Sequence, residues 1–82
     1  MPDIRVLDCT VGNASSRSFA VVVSTYNKAL TSKLLQGALD TLTAANVPSS
    51  QIMVAWVPGA WELSVAARRV VDHADAVICL GA

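Results

Sequence analysis

Three runs of apolar residues punctuate the chain: Phe19-Ala-Val-Val-Val-Ser24, Ile52 to Val57, and Ala76-Val-Ile-Cys-Leu80. Each is short, rich in β-branched side chains and bounded by turn residues, so each reads as a strand. Between them lie two stretches with helical periodicity. From about Thr31 to Ala45 the apolar positions are Leu34, Leu35, Ala38, Leu39, Leu42 and Ala45. From Trp61 to about Asp72 they are Leu63, Ala66, Ala67 and Val70. These spacings put the apolar side chains on one face of each helix. The continuous run Ile52–Val57 predicts a central strand buried on both faces, as in a parallel sheet covered by helices.

Punctuation between the elements supports this. Pro58 cannot donate to a sheet ladder and ends its strand, and Gly59 permits a tight turn or a close backbone approach. Asn46-Val47-Pro48 closes the first helix, with Asn suited to a left-handed cap. Gly37 falls inside that helix, and close packing against the sheet would explain it. The order strand, helix, strand, helix, strand implies right-handed crossovers and a parallel sheet. All three strand ends then gather on one edge, where open α/β sheets bind ligands. That edge carries Thr25 to Lys28, Pro58 to Glu62, and Gly81 with Ala82. Residues 1–18 read as an N-terminal extension, in which Ile4 to Leu7 form a short edge strand and residues 13–16 a loop.

Composition changes the picture in one respect. Apolar residues make up 54% and charged residues only 15%, against about 25% charged in an ordinary domain. A chain this small buries only about 60–65% of its unfolded surface. Partner subunits or further chain must therefore cover apolar surface. Six basic and six acidic residues cancel, which argues against nucleic acid and anionic membrane as partners. No apolar run approaches the length of a membrane span. The start has no signal-peptide anatomy. Cys9 and Cys79 have no metal spacing. Cys79 reads as a small core residue, and a reducing cytoplasm is expected.

Candidate chemistry is sparse. The glycine-rich nucleotide motifs and the nucleophile elbow are absent. Tyr26 is either a surface aromatic or a stacking platform for a planar ring. Asn27 is a turn residue or a polar contact. Trp61 is core or ligand contact. Glu62 is either a carboxylate complementing a helix start or an acceptor for ligand hydroxyls. Ser24 and Thr25 are expected to bond local backbone. Lys28 and Lys33 flank the first helix as weak anion contacts. Arg68 and Arg69 are expected to be solvated. His73, the one histidine, falls at the far end of the second helix, opposite the edge, as a surface or capping residue.

Three blocks together resemble the 6,7-dimethyl-8-ribityllumazine synthase family: Phe19-Ala-Val-Val-Val-Ser-Thr-Tyr-Asn27, Leu34-Leu-Gln-Gly-Ala-Leu39, and Val54-Ala-Trp-Val-Pro-Gly-Ala-Trp-Glu62. The third block is the most specific. Ala76 to Ala82 resembles the family strand ending in Leu-Gly-Ala. The resemblance spans Phe19 to Ala82, around half of a typical member. It implies a flavodoxin-like three-layer α/β/α fold with a parallel sheet, present here as βαβαβ plus the extension. It implies a transferase of riboflavin synthesis that condenses 5-amino-6-(ribitylamino)uracil with 3,4-dihydroxy-2-butanone 4-phosphate, releasing phosphate and water, with no metal or organic cofactor.

By match of motif, Tyr26 takes the position of the aromatic that stacks on the pyrimidine, with Asn27 beside it. Gly59, Ala60, Trp61 and Glu62 match the segment that holds the ribityl chain and ring, and Gly81 and Ala82 begin the segment whose backbone reads the uracil edge. Ser64 stands where members often carry Pro. The family's phosphate-binding segment and general acid/base histidine fall beyond Ala82, so these residues alone are expected to be inactive, and His73 does not match the catalytic histidine. The family assembles as pentamers, in some members as an icosahedral shell of sixty subunits, with the N-terminal segment adding a strand to a neighbour. Two other readings stand beside the synthase: a non-catalytic flavodoxin-like binding module, and a structural assembly protein.

Overall fold

The computed structural model describes residues 12–82. The expected edge strand at Ile4 to Leu7 and the role of Cys9 lie outside them. Three strands, β1 (Phe19–Ser24), β2 (Ile52–Val57) and β3 (Ala76–Leu80), form one sheet in the order β2-β1-β3. Both pairings are parallel, with Phe19 opposite Ile52 and Ala76. Helix α1 (Lys28–Ala44) links β1 to β2, and α2 (Leu63–Val70) links β2 to β3. The connection through α2 crosses β1, which makes this the start of a flavodoxin-like order.

The central strand is therefore β1, not Ile52–Val57 as the length of that apolar run implied. Every residue of β1 after Phe19 is buried. In β2, by contrast, Met53, Val54 and Trp56 are exposed. A strand paired on one side has a free edge and incomplete helical cover, whatever its hydrophobicity. The same cause corrects Cys79, which is exposed on β3 rather than a core residue.

The core lies between the sheet and α1. Val21 and Val23 on β1 pack with Leu42, Ala45 and Val47, flanked by Phe19, Leu35, Ile52, Ile78 and Leu80. On the opposite face of β1, Ala20, Val22 and Ser24 are equally buried, on the side where α2 runs. Period-2 alternation thus splits one apolar strand between two layers.

Helix α1 begins three residues before the expected Thr31. Asn27 adopts the left-handed conformation (φ 58°, ψ 50°), and its carbonyl accepts the amides of Leu30 and Thr31 at 3.0 and 3.1 Å. Asn tolerates that region better than most L residues. Thr31 and Leu42 in the helix and its cap Ala45 are buried, Leu35 and Ala38 are half-buried, and Leu34 is exposed. The helix closes as its sequence indicates. Val47 N–H donates to Leu42 O, and Asn46 N–H donates to Thr43 O, both at 3.0 Å. Asn46 is left-handed at φ 68°. This is a Schellman closure, with Val47 and Leu42 supplying its hydrophobic contact.

The second helical stretch is less regular than its periodicity suggested. A 3-10 turn, Ala60–Glu62, precedes α2, and another, Val71–His73, follows it. At the lower edge of the sheet, Ser18 and Asp75 clasp the starts of β1 and β3. The Asp75 carboxylate accepts Ser18 N–H at 2.7 Å and Ser18 Oγ at 3.2 Å, and Asp75 N–H donates to Ser18 O at 2.9 Å. These donors, led by the Ser18 amide and aided by the charge of Arg17, hold the Asp75 carboxyl below its usual value.

Two outcomes follow from these features. A Cβ at Gly37 would meet nothing within 4 Å, so the packing explanation for this glycine does not hold. Gly37→Ala is expected to stabilise the fold by about 0.5–1 kcal/mol through helix propensity, read as a higher urea midpoint. For Asp75 the folded-state pKa is depressed, so its contribution is present above the unfolded carboxyl value and lost as pH falls through the lower folded one. Asp75→Asn should lower the melting temperature slightly at neutral pH. The gap to the parent should shrink in titrations toward strongly acid pH.

Candidate functional site

The strand order sends all three C-terminal ends to one edge, and hydrogen bonds fix two of the loops there. Beyond the last β1–β2 pair, Ser24 with Val57, Thr25 N–H donates to Val57 O at 2.7 Å and Tyr26 N–H to Pro58 O at 3.1 Å. Thr25 Oγ1 also donates to Pro58 O at 3.2 Å. The ladder is thus prolonged into the loops, so Thr25 bonds backbone of a distant loop rather than the local backbone expected, and Tyr26 is carried beside the Pro58–Glu62 segment. The Tyr26 ring is 70% exposed and the Trp61 ring 90% exposed. Neither is a core residue. Two rings lie free at one edge on either side of a hydrogen-bonded seam.

Glu62 ends the 3-10 turn, its amide donating to Gly59 O at 3.1 Å. Its carboxylate makes no cap hydrogen bond at the start of α2, so the capping role is not what holds it. It folds back instead. Oε1 lies 3.2 Å from the place a Cβ would occupy on Gly59. Gly59 is extended (φ −148°, ψ 177°), a conformation open to any residue. Glycine here leaves room for the carboxylate rather than serving the backbone.

The third loop joins through Gly81. A Cβ there would stand 2.8 Å from Leu63 Cδ1 and 3.7 Å from both Ala60 Cβ and Ser24 Oγ. Gly81 therefore touches the end of β1 and the start of α2 at once. Sequence reasoning placed Ser24 among residues bonding local backbone. It is instead fully buried and its Oγ has no partner. A serine closing an otherwise apolar strand was the available signal.

Asn27 serves as the turn residue before α1. Lys28 follows it, and its ammonium lies 5.1 Å from the centroid of the Trp56 ring, a cation–π contact that ties the start of α1 to β2. His73 sits in the turn leading to β3, at the opposite edge of the sheet. It lines a cavity with Ser18, Phe19 and Gln51. An open groove of about 550 Å³ is lined by Ala67, Arg68, Val71, Asp72 and Val77. It contains no candidate residue, and its lining is mostly alkyl with one charge of each sign. The strand-end edge offers two exposed aromatic side chains and a carboxylate. Among the described residues no cluster of three His, Cys, Asp or Glu could hold a metal ion, and no helix is long and apolar enough to cross a membrane.

An open parallel α/β sheet in the order β2-β1-β3, with helices linking its strands, defines the class: a flavodoxin-like α/β domain. The comparison with known families is specific. Residues 16–82 match the family model for 6,7-dimethyl-8-ribityllumazine synthase. Proteins of that name from two Coxiella burnetii strains, Dugway 5J108-111 and CbuG_Q212, are 47% and 49% identical over 70 residues. The aligned segment is 83% of this chain and 46% of each relative, so the chain spans about half the length of the curated relatives it matches. The chain belongs to the 6,7-dimethyl-8-ribityllumazine synthase family.

Because the Gly59 backbone suits any residue, Gly59→Ala is expected to leave the melting temperature level or slightly higher, through a less flexible unfolded chain. The added methyl group displaces the Glu62 carboxylate by a few tenths of an ångström. A crystallographic comparison of variant and parent reads that displacement directly.

Proposed function

We propose that the protein carrying this chain is a riboflavin-pathway transferase that condenses 5-amino-6-(ribitylamino)uracil with 3,4-dihydroxy-2-butanone 4-phosphate, releasing phosphate and water. The observation that carries this reading is the family match over residues 16–82. The gathering of three loops on one edge supports this reading. Tyr26 stacks on the pyrimidine ring, and Asn27 shapes the turn that presents it. Glu62 accepts hydrogen bonds from ribityl hydroxyls, with Gly59, Ala60 and Trp61 forming the rest of that wall. Gly81 and Ala82 offer peptide groups to the uracil edge. A carboxylate suits a polyol, and an exposed ring suits a flat heterocycle.

This half of the reaction is binding and orientation. Condensation also needs a proton-transfer group near neutral pH and an anchor for the phosphorylated partner. His73 is the only histidine in the sequence and lies at the other end of the sheet, so it supplies neither. Residues 1–82 alone are therefore expected to bind without turnover.

Assembly belongs to the same proposal. Met53, Val54, Trp56, Trp61, Val65 and Val71 are exposed, more apolar surface than a 15% charged chain covers comfortably in water. A homo-oligomer, a pentamer or an icosahedral shell, would cover it. Residues 1–18 would then act as an extension contributing a strand to a neighbouring subunit, and residues 19–82 as part of a single catalytic domain. A cytoplasmic location accords with the pathway.

The test is direct. In the intact protein, Glu62→Ala is expected to weaken binding of 5-amino-6-(ribitylamino)uracil by about 1.5–3 kcal/mol, the range for hydrogen bonds to a charged group, measured by calorimetry. His73→Ala should leave the rate of lumazine formation unchanged. Unaltered affinity in the first variant would make Glu62 only a helix-start residue.

A further inference from the structure

Thr25 is the first residue past β1, and it is exposed. A hydroxyl at the surface has water as a partner and needs none from the protein. Thr25 Oγ1 nonetheless donates to Pro58 O at 3.2 Å, across 33 positions of chain. The same oxygen accepts Tyr26 N–H at 3.1 Å. Both lone pairs of one carbonyl are thus taken by successive residues of the other loop. Thr25 N–H donates one position back, to Val57 O at 2.7 Å. A β-branched side chain is stiff at χ1, so this hydroxyl is a fixed donor.

The doubled bond fixes a peptide plane. Pro58 O belongs to the planar Pro58–Gly59 unit, so its position sets the direction in which the chain enters Gly59. Gly59 has the widest backbone freedom of any residue in this loop. From there the chain turns at once into the 3-10 segment. Glu62 N–H donates to Gly59 O at 3.1 Å, and Glu62 Oε1 folds back over Gly59. One donor on Pro58 O leaves the plane free to swing about a single bond. A second donor, arriving from a different atom, removes that swing. Across the same oxygen the other loop carries the exposed ring of Tyr26. The ring and the carboxylate therefore hang from one carbonyl, and the Thr25 hydroxyl holds their separation.

We infer that Thr25 is a positioning residue for the proposed ligand site, and this inference rests on that reading. It acts through the Pro58 carbonyl without touching the ligand. A ligand that joins a flat heterocycle to a polyol must meet the Tyr26 ring and the Glu62 carboxylate at once, so the span between them matters. A span already set in the free protein spares binding the cost of ordering it. The hydroxyl serves only the pair. With one end of the span removed, nothing remains for it to align.

The experiment titrates the intact protein with 5-amino-6-(ribitylamino)uracil by calorimetry. Parent, Thr25→Val, Glu62→Ala and the double variant are compared, with thermal melts of each free protein. Valine keeps the branched shape and the backbone bond to Val57 O and loses only the hydroxyl. Thr25→Val is expected to bind about three- to tenfold more weakly, the scale of one hydrogen bond. In the Glu62→Ala background the same change should cost no further affinity, as for residues that act as one unit. Thr25→Ser, which keeps the hydroxyl, should recover most of the loss. A hydroxyl that merely stabilised the fold would lower melting and affinity alike in both backgrounds. Unchanged affinity in Thr25→Val overturns the inference, as does an equal loss in both backgrounds or no recovery in Thr25→Ser. Should Thr25→Val fail to fold, Thr25→Ala is read in the same way. The Glu62→Ala titration separates the two levels. A loss there with none in Thr25→Val sinks this inference alone, whereas full affinity in Glu62→Ala sinks the site reading and the inference with it.

Discussion

Everything at the strand-end edge depends on β1 being paired in parallel on both sides. Its backbone amides and carbonyls are taken up by β2 and β3, and its side chains alternate between two buried layers. A parallel sheet sends all its chain ends one way. Tyr26, the Pro58–Glu62 segment and Gly81 therefore become neighbours although more than fifty residues of chain separate the first from the last. Were β2 or β3 antiparallel to β1, those side chains would lie at opposite ends of the sheet.

The two flanks of β1 are held differently, and this asymmetry gives the edge its character. On the β2 side the ladder continues past the strands into the loops through Thr25, Tyr26 and Pro58. That seam is rigid and uses its own polar groups. On the β3 side Val23 pairs with Leu80, and Ser24 and Gly81 lie beside Leu63 and Ala60. One flank supplies fixed positions for rings and a carboxylate.

The same topology governs the surface. Because β2 and β3 are flanking strands among the described residues, their apolar side chains reach solvent wherever no helix lies over them. Lys28 partly covers Trp56 through its cation–π contact. Met53 and Val54 have no such cover. Low charge and exposed aliphatic side chains go together on the flanks of this sheet.

Local sequence determined what local physics controls. The three strands were legible because β-branched runs between turn residues have no competing reading. The first helix was legible at its close, where Asn46 and Val47 carry the left-handed cap and its hydrophobic contact. Parallel pairing followed from alternation, and with it the set of residues on the edge. The blocks around Asn27 and Glu62 were enough to indicate the family. Other features were decided only by the tertiary structure. Hydrophobicity made Ile52–Val57 the apparent centre, but strand order is set by which crossover passes which strand, and no single run encodes that. Burial of Thr31 in place of Leu34 depended on where Asn27 starts the helix. The fold-back of Glu62 over Gly59 and the unpaired hydroxyl of Ser24 depended on contacts between loops far apart in the chain. Periodicity reports which face a residue occupies, whereas the partner on that face exists only once the chain has closed.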